Sequence, residues 1–270
     1  MHGKYRWPDG VRCVVALTVD FDGPSHETGR RLAPLGVNSH GRYSGRRGVQ
    51  RYIDLFTRCG VPGTFFVSGY DAECYPEVVK DIDRAGFEVA SHGYLHESWE
   101  LGEDEEMLLK KTHRILADLL GKAPVGWRSP SGRKSGRTVQ VLKELGYVYD
   151  SSDKDYDLPY VVRVEDQPFE GMMELPSSAY SLDDFPFYKF SLTPPSEVLE
   201  HWKQEFDTLY KEDGYFMLMV HPRSGWGSGT ASRARNMEEM IRYIRQHEGV
   251  RFFGMAELAR WCLDNRQHFD

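Results

Sequence analysis

Asp20 and Asp22 stand two apart in TVDFDG, at the end of an apolar run. His92 and His96 stand four apart in SHGYLH, Arg128 opens RSPSG, and His221 closes LMVHP. These are the side-chain types of a metal-assisted acid–base site. Two imidazoles four apart on one helical turn point the same way. With one carboxylate they make a two-His-one-Asp set that leaves the open coordination positions a catalytic metal requires. Zinc is the default ion for that set, and Co, Ni, Mn or Fe(II) would accept the same ligands. Two aspartates in an extended segment face one side. One could then ligate the ion while the other sits beside the activated water. A plain loop-capping pair before Gly23-Pro24 is the alternative.

The remaining groups carry the same two-way reading. Arg128 could orient Asp20 and balance its charge, or be a surface guanidinium. His221 follows the apolar run Phe216 to Val220. It is there either a satisfied core histidine or a general acid. Asp150, in YDSS, fits a further acidic group and equally fits turn chemistry.

Something must bring these residues to one place, and the chain alternates in the way that would. Short runs rich in β-branched and apolar residues occur at 12–22, 63–69, 87–93, 125–132, 147–152, 172–178, 215–222 and from 250. Between most of them lie stretches with helical spacing, at 48–60, 75–86, 103–121, 138–146, 195–214 and 236–249, and the last run leads into a helix to 264. Such alternation predicts a parallel sheet with helices outside. Seven or eight units favour a distorted (β/α)7–8 barrel, one unit across residues 1–270, over an open doubly wound sheet. No strand is followed by a G-x-G-x-x-G phosphate loop. Barrel chemistry sits at the C-terminal ends of the strands, and Asp20, Asp22, His92, Arg128, Asp150 and His221 all fall there.

Composition narrows the partners. With a net charge of -7, neither nucleic acid nor an anionic membrane surface is expected, since both reward basic patches. The basic run GRYSGRRGVQR reads as a solvated loop and helix start. No apolar run approaches the ~20 residues of a membrane span, and MHGKYRWPDG has no apolar signal core. Cys13, Cys59, Cys74 and Cys262 form no C-x-x-C and read as free thiols of a reducing compartment. The expected location is cytoplasmic.

The ordered set TVDFDG, SHGYLH, RSPSG, YDSS and LMVHP resembles the polysaccharide deacetylases of carbohydrate esterase family 4, from residue 12 to about 260. The resemblance implies a distorted barrel and a divalent metal. It implies that Asp20 is the catalytic base, that Asp22, His92 and His96 are the metal ligands, that Arg128 tethers the base and that His221 is the acid. Asp150 falls in the region that would orient the acid histidine. Phe21 separates the two aspartates, which is similar to a subgroup of cyclic imidases, allantoinase-like enzymes and a cytoplasmic-type peptidoglycan deacetylase homologue. That subgroup implies a homo-oligomer and a small amide or imide as substrate, with an N-acetylated glycan as the alternative. The implied reaction is hydrolysis of a non-peptide amide C–N bond. Trp127 and Trp226, the latter in HPRSGWGSG, are candidate pocket walls, or parts of a glycine-rich solvent loop. A non-catalytic sugar-binding barrel is the rival from another class, and the intact acid–base set argues against it.

Overall fold

The computed structural model describes residues 7–97, 102–165, 167–178 and 180–269. Residues 1–6 of the N-terminal stretch and 98–100 beyond His96 lie outside the described residues. Among the described residues nine strands form one sheet: β1 Cys13–Phe21, β2 Thr64–Val67, β3 Glu88–Ser91, β4 Gly126–Trp127, β5 Tyr149–Asp150, β6 Tyr160–Val164, β7 Gln167–Glu174, β8 Tyr215–Val220 and β9 Val250–Phe253. Their order is β6-β7-β5-β4-β3-β2-β1-β8, with β9 also on β1. Every pairing is parallel except the β6–β7 hairpin. The second strand of that hairpin is expected from sequence, and the first is not.

The expected barrel is therefore present as a curled sheet, with no pairing of β8 to β6 among the described residues. β1 is its centre. Its first half pairs with β9 and its second half with β2, while β8 runs along the other side. All nine β1 residues are buried, so both faces must be apolar. Val15, Leu17, Val19 and Phe21 pack outward against the helices, together with Tyr52, Phe56 and Trp202. Val14 and Ala16 turn inward with Phe66, Ala90, Tyr149, Met173, Met217 and Met219.

This period of two decides what each strand end offers the interior. Even numbers point inward on β1 and β3, so Asp20 follows Ala16 and His92 follows Ala90. Odd numbers point inward on β5 and β8, which turns Ser151 and His221 in.

The helices lie near the predicted ranges, at Val49–Cys59, Pro76–Arg84, Glu105–Leu120, Gly136–Glu144, Pro195–Lys211, Ala231–Ile244 and Met255–Asp264. The first and third end on left-handed glycines, Gly60 at φ 59° and Gly121 at φ 68°, a geometry that costs other residues more. The basic run is helical, with a π-helical turn at Ser44–Gly48. It packs directly beneath the strand ends: a Cβ on Gly48 would lie 1.9 Å from the Pro222 carbonyl oxygen, and Ser44 Oγ donates to the Asp22 carbonyl. All four cysteines are free. No helix among the described residues is long and apolar enough to cross a membrane.

Candidate active site

Asp20 ends β1 on the inner face, where an unpaired carboxylate would be expensive. Arg128 answers it. Its Nη1 donates to Asp20 Oδ1 at 2.6 Å and to Thr18 Oγ1 at 3.0 Å. Nε and Nη2 donate to the carbonyl and hydroxyl of Ser151, and the guanidinium lies 4.0 Å from the centroid of the Phe66 ring. Four anchors leave Arg128 little freedom, so Asp20 Oδ1 is fixed and Oδ2 is turned toward His92, 3.8 Å away.

Asp22 is also buried, and both of its carboxylate oxygens lack a hydrogen-bond partner. His92 Nε2 stands 3.5 Å from Oδ1, and His96 Nε2 stands 3.1 Å from Oδ2. Burial pushes the Asp22 carboxyl up, but His96 and His92 pull it well below the usual range. His92 Nδ1–H donates to the Arg128 carbonyl at 2.9 Å, which leaves the Nε2 lone pair free. That hydrogen bond is the usual outer support of a metal-ligating histidine. One ligand atom from each of Asp22, His92 and His96 lies within 4.8 Å of the others. A buried carboxylate with no donor and two imidazoles offering lone pairs to one point is a donor set that a divalent cation fits.

The two histidines do not share a helical turn, as the spacing suggests. His92 follows β3 directly, and the chain then reverses through Gly93 at φ 67° and His96 at φ 51°. A left-handed histidine costs on the order of 1 kcal/mol and persists where its surroundings enforce it. Here the buried Glu97 enforces it, its carboxylate accepting from the backbone N–H of Tyr94 and Leu95.

His221 ends β8. Its Nδ1–H donates to Asp184 Oδ1 at 2.6 Å, and Asp184 also accepts the His221 backbone N–H. Asp183 Oδ1 is 3.6 Å from the same nitrogen, and Nε2 lies 3.9 Å from Asp22 Oδ2. Burial alone would lower the His221 pKa, but Asp184 and then Asp183 raise it to about 10. Burial likewise pushes Asp183 up, to about 6, against the pull of His221. This acidic pair arrives from a remote segment. Asp183 bridges to Met219 in parallel, covering the outer edge of β8. Sequence reasoning missed both residues, because SLDDFPF lies outside every strand-like run. Two adjacent acids before an aromatic-proline step were the available signal.

Two expectations are corrected, both by strand parity. Asp150 does not reach His221. Tyr149 points inward, so Asp150 points outward, where it meets Lys134 and Ser152 beside Glu174. Trp127 does not line the cleft. It sits on the outer face with Leu109, Val139 and Met172 and borders a neighbouring cavity of about 750 Å³, divided from the cleft by the Ser129, Pro130, Ser131 and Gly132 wall that both share. Trp226 does line the cleft, which holds about 280 Å³ and includes Asp20, Asp22, His96 and His221. Phe185 stacks edge-on against Trp226, with ring centres 4.9 Å apart. His26, not anticipated from sequence, also lines the cleft, 4.9 Å from the His96 ring.

Arg223 locks this rim. Fully buried, it donates to the carbonyls of Asp22 and Gly23 and pairs with Glu27, while its guanidinium lies 4.4 Å from the Trp226 ring centre.

Comparison with known proteins gives a consistent set of likenesses. The family profile described as polysaccharide deacetylase matches residues 11–149. A peptidoglycan deacetylase of Helicobacter pylori is 32% identical over 91% of this chain and 94% of its own. A solved Mycobacterium smegmatis protein assigned as a polysaccharide deacetylase is 34% identical, superposes with a TM-score of 0.85, and is matched over 98% of this chain and 94% of that one. The allantoinase PuuE shares the fold at a TM-score of 0.81 and 24% identity, over 95% of this chain and 92% of that one.

Proposed function

Because this chain belongs to the polysaccharide deacetylase family, we propose that it hydrolyses a non-peptide amide C–N bond in a small linear or cyclic amide or imide. One observation carries the reading. A tethered carboxylate, Asp22 and His96 of the two-His-one-Asp donor set, and a histidine backed by an aspartate border one cleft of about 280 Å³, with His92 behind them. The two aspartates separated by Phe21 favour the compact substrate of the subgroup that this spacing resembles.

In this proposal Asp22, His92 and His96 hold a divalent cation, zinc by preference. When bound, the ion polarises the amide carbonyl and acidifies a water. Asp20 accepts the proton of the attacking water, and Arg128 keeps its carboxylate aimed. His221 carries its proton at neutral pH, because Asp184 and Asp183 favour the imidazolium. With Nδ1 committed to Asp184, the proton it can give is the one on Nε2, the atom facing Asp22. It passes to the leaving nitrogen. Asp184 is thus a positioning residue for the acid, the role that sequence alone suggests for Asp150. Trp226 and Phe185 form the apolar wall of the cleft.

A second reading, N-deacetylation of a glycan, is favoured by the name and 32% identity of the Helicobacter pylori relative. Elemental analysis of wild type beside His92→Ala, with both assayed on succinimide and on N-acetylglucosamine oligomers, tests the proposal. Near-stoichiometric metal lost together with turnover is the expected result, and the substrate consumed chooses between the readings. No metal, with undiminished turnover in the variant, would overturn the ligand assignment.

A further inference from the structure

The charges lining the cleft divide into those with partners and those without. Asp20 is matched by Arg128 and His221 by Asp183 and Asp184, while Asp22 faces the two histidines of its own donor set. Two cations remain. Arg30 and Lys154 both line the cavity, and among the described residues neither forms an ion pair. Arg30 is half-buried, and its Nη1 donates only to the His26 carbonyl, at 2.9 Å. Lys154 is exposed, and its Nζ donates to Ser177 Oγ at 2.6 Å. A guanidinium has five donors in a fork that matches a carboxylate, so Arg30 has most of its hydrogen-bonding capacity to spare. Arg30 comes from the segment after β1 and Lys154 from the segment after β5, while Phe185, Met219 and Trp226 supply apolar lining.

We infer that the substrate carries a carboxylate, held by Arg30 and Lys154 while its amide meets Asp20 and His221. This rests on the amide-hydrolase reading and narrows it to amides with an acidic substituent. Among the described residues half-buried Arg30 has no carboxylate in contact, and Asp22 and Glu27 act on it only from a distance, so part of its desolvation cost stands uncompensated in the free protein. An anionic ligand relieves that cost and gains a charge-assisted fork, whereas a neutral amide leaves it in place. The acid could be borne by a small cyclic amide or by an N-acetylated sugar, and matched pairs distinguish these sources.

The test compares the full-length, zinc-supplied wild type with Arg30→Gln, Lys154→Met, the double variant and the conservative Arg30→Lys. Substrate pairs are hydantoin against hydantoin-5-acetic acid, and N-acetylglucosamine against N-acetylmuramic acid. In wild type kcat/KM is expected to favour the acid of one pair by tenfold or more. In the double variant that ratio falls to near one, chiefly through KM, and Arg30→Lys keeps part of it. A neutral member turned over as fast as its acid by wild type, or a ratio unchanged in the double variant, overturns the inference and leaves the amide reading standing. If no member is hydrolysed, the amide reading fails, and calorimetric titration with hydantoin-5-acetic acid then decides the inference alone. Binding weakened at least tenfold in the double variant supports the carboxylate site. Equal binding, as expected for an acid held by the ion, overturns it.

Discussion

Two clusters of buried charge lie at strand ends on opposite faces of the same sheet, and they differ in completeness. On the outer face Lys134 meets Asp150, Asp153 and Glu174. Ser152 Oγ donates to Asp150, and the backbone N–H groups of Ser152 and Asp153 donate to Glu174. Burial and the neighbouring Asp150 push the Glu174 carboxyl well up, against the pull of Lys134. No buried polar atom of Lys134, Asp150 or Glu174 lacks a partner. On the inner face Asp22 has two carboxylate oxygens without a donor, and His96 has an Nδ1 without one. Both clusters are buried and charged, so burial does not distinguish them. The closed one holds loops together, and the open one still has valence to offer a ligand.

The largest effect should come from breaking the open cluster. Asp20→Asn keeps the shape and removes the base, and kcat/KM should fall roughly a thousandfold, about 4 kcal/mol, with metal content retained. Loss of less than tenfold in steady-state assays would remove Asp20 from the proton path. Breaking the closed cluster should do the opposite. Lys134→Met strands two buried carboxylates and should cost about 3 kcal/mol of stability in urea unfolding, while metal stoichiometry stays at the wild-type value. Loss of metal without loss of stability would show that the two clusters are not independent.

Asp184→Asn sharpens the comparison through pH. It should lower kcat roughly a hundredfold and move the alkaline limb of the rate profile down from about 10 toward the ordinary histidine value near ~6.5. The sign follows from the raised His221. The pair stabilises the fold fully below about 6.5, and that contribution is lost as pH rises through about 10. An unmoved limb would assign it to another group. The smallest effect belongs to Trp127→Phe. The Trp127 Nε1 is buried without a partner, so losing it should change stability by less than about 1 kcal/mol and kcat/KM by less than about twofold. A large loss of activity would return Trp127 to the cleft.

Strand and helix ranges were legible because apolar periodicity is local, as in the helix expected at 103–121 and found at Glu105–Leu120. The types and order of Asp20, Asp22, His92, His96, Arg128 and His221 were legible too, since strand ends rarely carry such groups idly. Which face each strand end presents was not. β1 is apolar on both faces, so alternation gives parity without saying which parity is inside. That is why Asp150 and Trp127 were expected at the site, while Ser151 and Arg128, each one residue further on, are the ones that meet there. The Asp184 partner was hidden for a different reason: its contact with His221 spans 37 residues and depends on a segment covering the edge of β8. Sequence by itself determined the chemistry available and the elements that carry it, because those follow from side-chain type and near-neighbour spacing. Tertiary structure decided which charges face one another, which lone pairs stay open and how small the cleft is, because these depend on long-range strand pairing that local periodicity does not encode.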